Sequence, residues 1–249
     1  MTADDVYVYA ITRAGTALPE GQGGVGSPPA RPRTVRHGRL AAVISDAPPD
    51  LRARRRDLLA HQDLLMRLMD EGPVLPMRFG MVAPGEDAVL RQLATDESGH
   101  TAALKRLAGC HEINVKALAA QDSLADVVAE DGTVRKLRDA ARRRPGYEAS
   151  LRLGEAVAAA LARRAADAGR RVLRELTPRA RAVAAGPEVQ GCALNVSFLV
   201  ERGASDAFLA EARRFASDNR GQVELRLAGP LPCYSFVAAE ARPVPVGGG

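Results

Sequence analysis

The chain contains no tryptophan, and aromatic residues make up only 4% of its 249 positions. Lysine is nearly missing as well. Only Lys105, Lys116 and Lys136 occur, so arginine supplies almost all of the 35 basic residues. Together with abundant alanine, that bias fits a GC-rich genome, and basicity alone therefore identifies no anionic partner. No segment approaches the roughly 20 apolar residues of a membrane helix. The longest uncharged run near the end, Leu227 to Ala239, is interrupted by Pro230 and Pro232. Asp4 and Asp5 stand where a secretory leader would be basic, and no apolar stretch follows them. Cys110, Cys192 and Cys233 are too few and too scattered for a disulfide framework or a zinc site. These absences predict a cytoplasmic, reduced protein with no membrane partner.

Signatures of chemistry are missing too. His37, His61, His100 and His111 show no metal-ligand spacing, and Cys110 and His111 are neighbours on a strand, so they point to opposite faces. There is no G-x-S-x-G elbow, P-loop or dinucleotide fingerprint. The glycine-dense Gly21–Gly26 leads into Ser27-Pro28-Pro29 rather than a helix. The expectation is a non-enzymatic protein with no catalytic, cofactor-binding or metal-binding residues.

What is present is a globular composition, 46% hydrophobic and 26% charged, at a length that suits two small domains. Val6–Ile11 reads as a strand, 15–33 as a mobile Gly/Pro-rich loop, and Val35–Ile44 as two strands turning at Gly38. Leu51–Glu71 is helical, with Leu51, Leu58, Leu65 and Leu68 on one stripe. Val74–Val82 is extended, and Pro76 suggests a sheet edge. Two short helices and the alternating strand His111–Ala117 complete an N-terminal α+β sandwich over 1–118.

Residues 119–146 read as a basic transition or linker. The domain over 147–240 opens with a helix, Tyr147–Leu176, about 45 Å long at 1.5 Å per residue. Gly154, Val157, Leu161, Ala165, Ala168, Val172 and Leu176 draw a narrow apolar stripe along it. A strand over 191–200, a helix over 206–219 and strands over 222–227 and Cys233–Val237 follow. That order is part of a ferredoxin-like layout. A flexible tail, 241–249, ends the chain.

Charge is uneven. Fourteen basic and five acidic residues lie between Arg135 and Arg181, a net of +9, leaving −4 for the rest of a chain whose net charge is +5. This platform makes a nucleic-acid-binding module, using 135–181, the alternative reading. Base stacking needs exposed aromatics beside the cations, however, and most aromatics here lie inside apolar runs.

Three stretches together carry a resemblance: Val6-Tyr7-Val8-Tyr9-Ala10-Ile11; Val74-Leu75-Pro76-Met77-Arg78-Phe79-Gly80-Met81-Val82; and Leu194–Val200 with Gly229-Pro230-Leu231-Pro232-Cys233-Tyr234-Ser235-Phe236-Val237. In order and spacing they resemble the gas vesicle accessory proteins called gas vesicle protein F and gas vesicle protein L. The resemblance implies two α+β domains and no catalytic residues. It also implies a role in assembling gas vesicles, with the small hydrophobic shell protein, and other accessory proteins, as partners. Such a body could shield apolar subunit surface by helix docking or strand addition. The partner-facing candidates are Arg78 and the stripe residues Gly154, Val157, Leu161, Ala165, Ala168 and Val172. Leu75, Met77 and Phe79 alternate toward a core. Arg78, the motif's only charge, is expected to pin structure through a carboxylate.

Overall fold

The computed structural model describes residues 5–120 and 124–238. Within them the chain forms two compact units. One comprises 5–112 and the returning segment 230–238; the other comprises 113–229. The tail expected over 241–249 lies outside the described residues.

The first unit is built on β1 (Val6–Arg13), β2 (Arg33–His37), β3 (Leu40–Asp46), β4 (Val74–Pro76) and β5 (Val82–Ala83). Its helices are α1 (Arg55–Glu71), α2 (Glu86–Thr95) and α3 (Glu97–Leu107). The sheet runs β2-β3-β1-β4, with β5 also on β1. β1 and β3 are β-branched and aromatic and are buried along nearly their whole length, as strands covered on both faces must be. α1 packs on β1 and β4, while α2 and α3 pack on β2, β3, β1 and β4.

The β2–β3 turn uses Gly38 at φ 54°, and a side chain there would also strike the Glu97 carboxylate, 2.7 Å from the ideal Cβ. The helix expected from Leu51 begins only at Arg55, and Leu58 is exposed. The core face of α1 is Leu64, Leu65, Leu68 and Met69. Pro76 lies on an edge strand, as its missing N–H requires.

The returning segment closes this unit without a strand. Tyr234–Phe236 is a 3-10 turn where the sequence suggested Cys233–Val237 extended. The bonds that hold it go to other elements. Ser235 donates its N–H and hydroxyl to the Glu112 carboxylate at 2.8 and 2.7 Å, and the Arg106 guanidinium donates to the Phe236 carbonyl at 3.0 Å.

The second unit contains β6 (Cys110–Ala119) from Ile113 onward, α4 (Leu124–Glu130), α5 (Gly132–Arg143), α6 (Tyr147–Leu176), β7 (Ala182–Ala185), β8 (Cys192–Glu201), α7 (Ser205–Asp218) and β9 (Val223–Leu231) as far as Gly229. The order β-α-β-β-α-β with a sheet β7-β8-β6-β9 is the full split βαβ, ferredoxin-like arrangement. Its first strand is β6, which pattern alone grouped with the N-terminal domain. β6 and β8 are the two inner strands of this sheet, so the boundary expected at 118 falls inside one cooperative sheet.

The core joins Ile113, Val115, Val196, Phe198 and Val200 to Val172, Leu176, Phe208, Ala212 and Phe215 of α6 and α7. The expected linker 119–146 is instead largely helical. α4 and α5 pack on the first half of α6 around Val127, Val134 and Ala160. Asp131 caps α5 by accepting from the Thr133 and Val134 N–H groups at 2.9 and 3.0 Å.

Candidate functional site

The motif Leu75–Met81 is held by a buried network beneath it. β1 shifts register between Val8 and Ala10, a bulge at Tyr9, and the Tyr7 and Tyr9 rings lie 4.7 Å apart against His61 of α1. His61 Nε2–H donates to the Met77 carbonyl at 3.0 Å. That fixes the tautomer, so Nδ1 accepts the Tyr7 hydroxyl proton at 2.9 Å. The Tyr7 oxygen in turn accepts the Gly80 N–H at 3.1 Å. Met77 N–H donates to the Tyr9 carbonyl and Val8 N–H to the Met81 carbonyl, and Phe79 packs edge-on against Tyr7 and His61. Burial lowers the His61 pKa and raises that of Tyr7, so both groups are neutral and their hydrogen bonds are directional.

The loop 15–33, expected to be mobile, is part of the same network over its central residues. Val25 is fully buried, and its N–H donates to the Tyr9 hydroxyl at 2.8 Å. That hydroxyl donates onward to Ser45 Oγ at 3.0 Å, while Gly26 N–H donates to the buried Asp57 carboxylate at 2.9 Å. Gly24 passes so close to Tyr9 that a Cβ would fall 2.1 Å from the phenol oxygen. Composition hid this anchor. The one local sign was Val25, a large apolar residue stranded among glycines and prolines.

Above the network, Arg78, Gly80 and Met81 are exposed, Met81 by 47%. Arg78 meets no carboxylate among the described residues, so the pinning role expected of it is not seen. Leu75 and Pro76 are buried, and Met77 and Phe79 partly so. The motif is therefore a rigid loop that presents one cation and one thioether to solvent.

The stripe on α6 has a different fate. Ala165, Ala168 and Val172 are buried, the last two in the unit's own sheet core. Val157 and Leu161 pack against the α4–α5 cluster. Only Gly154 is exposed, with nothing within 4 Å of an added Cβ. The apolar stripe is thus consumed by intramolecular packing and is not an open docking face. The large apolar residues that this helix exposes are instead Tyr147 and Leu151 on its first turns.

Half of the basic platform is ion-paired. Arg163 and Arg164 pair with Asp131 and Glu130, Arg179 and Arg181 with Glu211 and Glu201, and Arg138, Arg152 and Arg170 with carboxylates one to four residues away. Several of these acids lie outside 135–181, which is why a count over the segment overstated its field.

Among the described residues, no group of three or more His, Cys, Asp or Glu is placed to hold a metal ion. The three cysteines are free thiols, and burial holds the Cys233 thiol protonated. Among the described residues no helix is long and apolar enough to cross a membrane.

Two α+β units, the first with a buried polar network that braces an exposed loop, define the fold. The chain belongs to the family described as gas vesicle synthesis protein GvpL/GvpF, whose model matches residues 5–238. It is 43% identical over 235 residues to gas vesicle protein F of a Streptomyces species, covering 93% of this chain and 98% of that one. Its fold is similar to the crystal structures of the gas vesicle protein GvpF from Anabaena and from Microcystis aeruginosa. The TM-scores are 0.75 and 0.72, each at 20% identity, covering 94% and 95% of this chain and 98% and 100% of those.

Proposed function

We propose that this chain is a non-enzymatic accessory protein of gas vesicle assembly that acts in the cytoplasm. It binds the small hydrophobic shell protein and helps to nucleate or chaperone its polymerisation. The observation that carries this reading is the loop at 78–81. A buried tautomer-specific network holds its backbone in place, while the side chains of Arg78 and Met81 are left exposed. Rigid presentation lowers the ordering cost of binding, and a flexible thioether beside a cation suits an apolar segment with polar flanks. Shell subunits must be shielded before they polymerise, because open strand edges and apolar faces otherwise aggregate. Ion pairs to Asp131, Glu130, Glu211 and Glu201 reduce the charge left to the nucleic-acid alternative, whose remaining free cations among the described residues centre on Arg135, Lys136, Arg142, Arg143 and Arg144.

Coexpression and co-purification with the small shell protein, at low and high salt, tests the reading. Retention at both salts, weakened by Arg78→Glu in a chain that still folds, is the expected result. Loss at high salt, with nucleic acid in the low-salt eluate, would transfer the role to 135–181. Absence of retention at either salt would overturn binding to the shell protein.

A further inference from the structure

β9 ends its sheet: among the described residues its one strand neighbour is β6, and its other backbone edge is open. Nine residues make a long exposed edge, a feature that proteins usually shorten or cover because it templates pairing with another chain. Val223 is buried, and Leu225 and Leu227 are half-buried against the core of the unit. Glu224, Arg226 and Ala228 are exposed and alternate with them.

Edge charges ordinarily repel an incoming strand. Here the two charges have opposite sign and flank Leu225 symmetrically, with Arg226 Nε 2.7 Å from Glu224 Oε1 on the same strand. A second β9, laid antiparallel with a two-fold axis at Leu225, sets Glu224 opposite Arg226 at both ends of the pair. The same register sets Val223 opposite Leu227 and Leu225 opposite its own copy. Moving the axis to residue 224 or 226 brings Glu against Glu or Arg against Arg. A slip of one residue turns the apolar row onto the polar face. Parallel pairing in register aligns like with like. A single register is therefore complementary in both charge and hydrophobicity, and it is self-complementary, as an isologous interface must be.

We propose that β9 is a homodimerisation edge, joining two copies of this chain through antiparallel β9–β9 pairing centred on Leu225. The inference is independent of the shell-protein reading. Because the axis stands perpendicular to the sheet, α6 and α7 of both copies lie on one side, and the half-buried Leu225 and Leu227 rows become continuous.

Sedimentation equilibrium of the full chain across the micromolar range tests it. A reversible dimer is expected. Glu224→Arg or Arg226→Glu alone should weaken it by at least about tenfold, because each places like charges opposite one another twice. The double reversal, Glu224→Arg with Arg226→Glu, restores the cross-strand pattern and should restore the dimer. Both side chains are exposed, so circular dichroism should show intact folds. As a positive arm, Leu225→Cys puts two thiols on the axis. Facing residues of antiparallel strands have Cα atoms about 4.5–5.5 Å apart, within disulfide reach, so mild oxidation should yield a covalent dimer that wild type does not form. A monomer at every concentration, or a dimer indifferent to the single reversals, would overturn the proposal.

Discussion

In the first unit the middle strand carries Tyr7, Tyr9 and Thr12 into the interior, and their hydroxyls, with His61, Ser45 and Asp57, tie together β1, β3, α1, the 15–33 loop and the 77–81 motif. In the second unit the helix-facing side of β8 carries Val196, Phe198 and Val200 onto Val172, Leu176, Phe208 and Phe215, with no polar side chain in the cluster. The two interiors specify different things. An apolar cluster fixes how far apart elements sit and tolerates exchange of similar volumes. A buried hydrogen-bonded network fixes which atom faces which, and it fails when one member is lost. The unit with the directional core is also the one that presents a loop.

The contrast is sharpened first by Phe198→Ala. Removing this fully buried ring, tilted against Phe208 at a centroid distance of 5.1 Å, should cost the second unit about 3–5 kcal/mol in denaturant unfolding. Amide exchange should rise through α6, α7 and β6–β9. A comparable loss of protection on β1 and α1 would mean the two cores are one cooperative system. Next is Tyr9→Phe, which keeps the volume, strands the Val25 N–H and removes the proton donor that Ser45 Oγ accepts from. A penalty of about 1–3 kcal/mol is expected, together with new protease cleavage between Gly21 and Pro29. An unchanged cleavage pattern would show that the loop is held by Val25 burial alone.

The gentlest probe is pH. Burial pushes the His61 pKa below the 6.5 of a free imidazole, so the unfolded chain takes up a proton that the folded chain resists. This group should therefore leave the stability of the first unit unchanged near neutrality and lower it progressively as pH drops below about 6.5. The second unit should show no such loss over that window. His61→Gln is expected to lower stability throughout while flattening this slope. A slope that survives the substitution would assign it to another group.

Much of this architecture was legible in the sequence. The β-branched and aromatic run at Val6 pairs with strong neighbours and could only be a strand. α6 lies over Tyr147–Leu176 as the spacing indicated, because Gly146 and Thr177-Pro178 punctuate it. What pattern could not supply was context. The stripe on α6 announces which side is covered but not what covers it, and the cover proved to be the protein's own sheet and α4–α5. Those two helices escaped notice because Val127 and Val134 are their only fully buried anchors amid arginines. β6 was correctly seen as a strand and assigned to the wrong partners, since pairing depends on residues some eighty to a hundred positions downstream. In the candidate site, the motif's alternation was visible, but the link from Tyr9 to Val25 exists only in three dimensions.

The returning segment gives this protein an order of birth. Residues 230–238 supply the Phe236 and Cys233 side chains that the first unit buries and the Ser235 groups that satisfy Glu112. On the ribosome, everything from 113 to 229 must be made before those groups exist. At about 5–20 residues per second that is a wait on the order of ten seconds. The internal unit can close while the earlier one is still unfinished, reversing the usual N-to-C sequence of maturation. A released chain truncated after Gly229 should accordingly resist protease over α6 and α7 and be cut within 5–112.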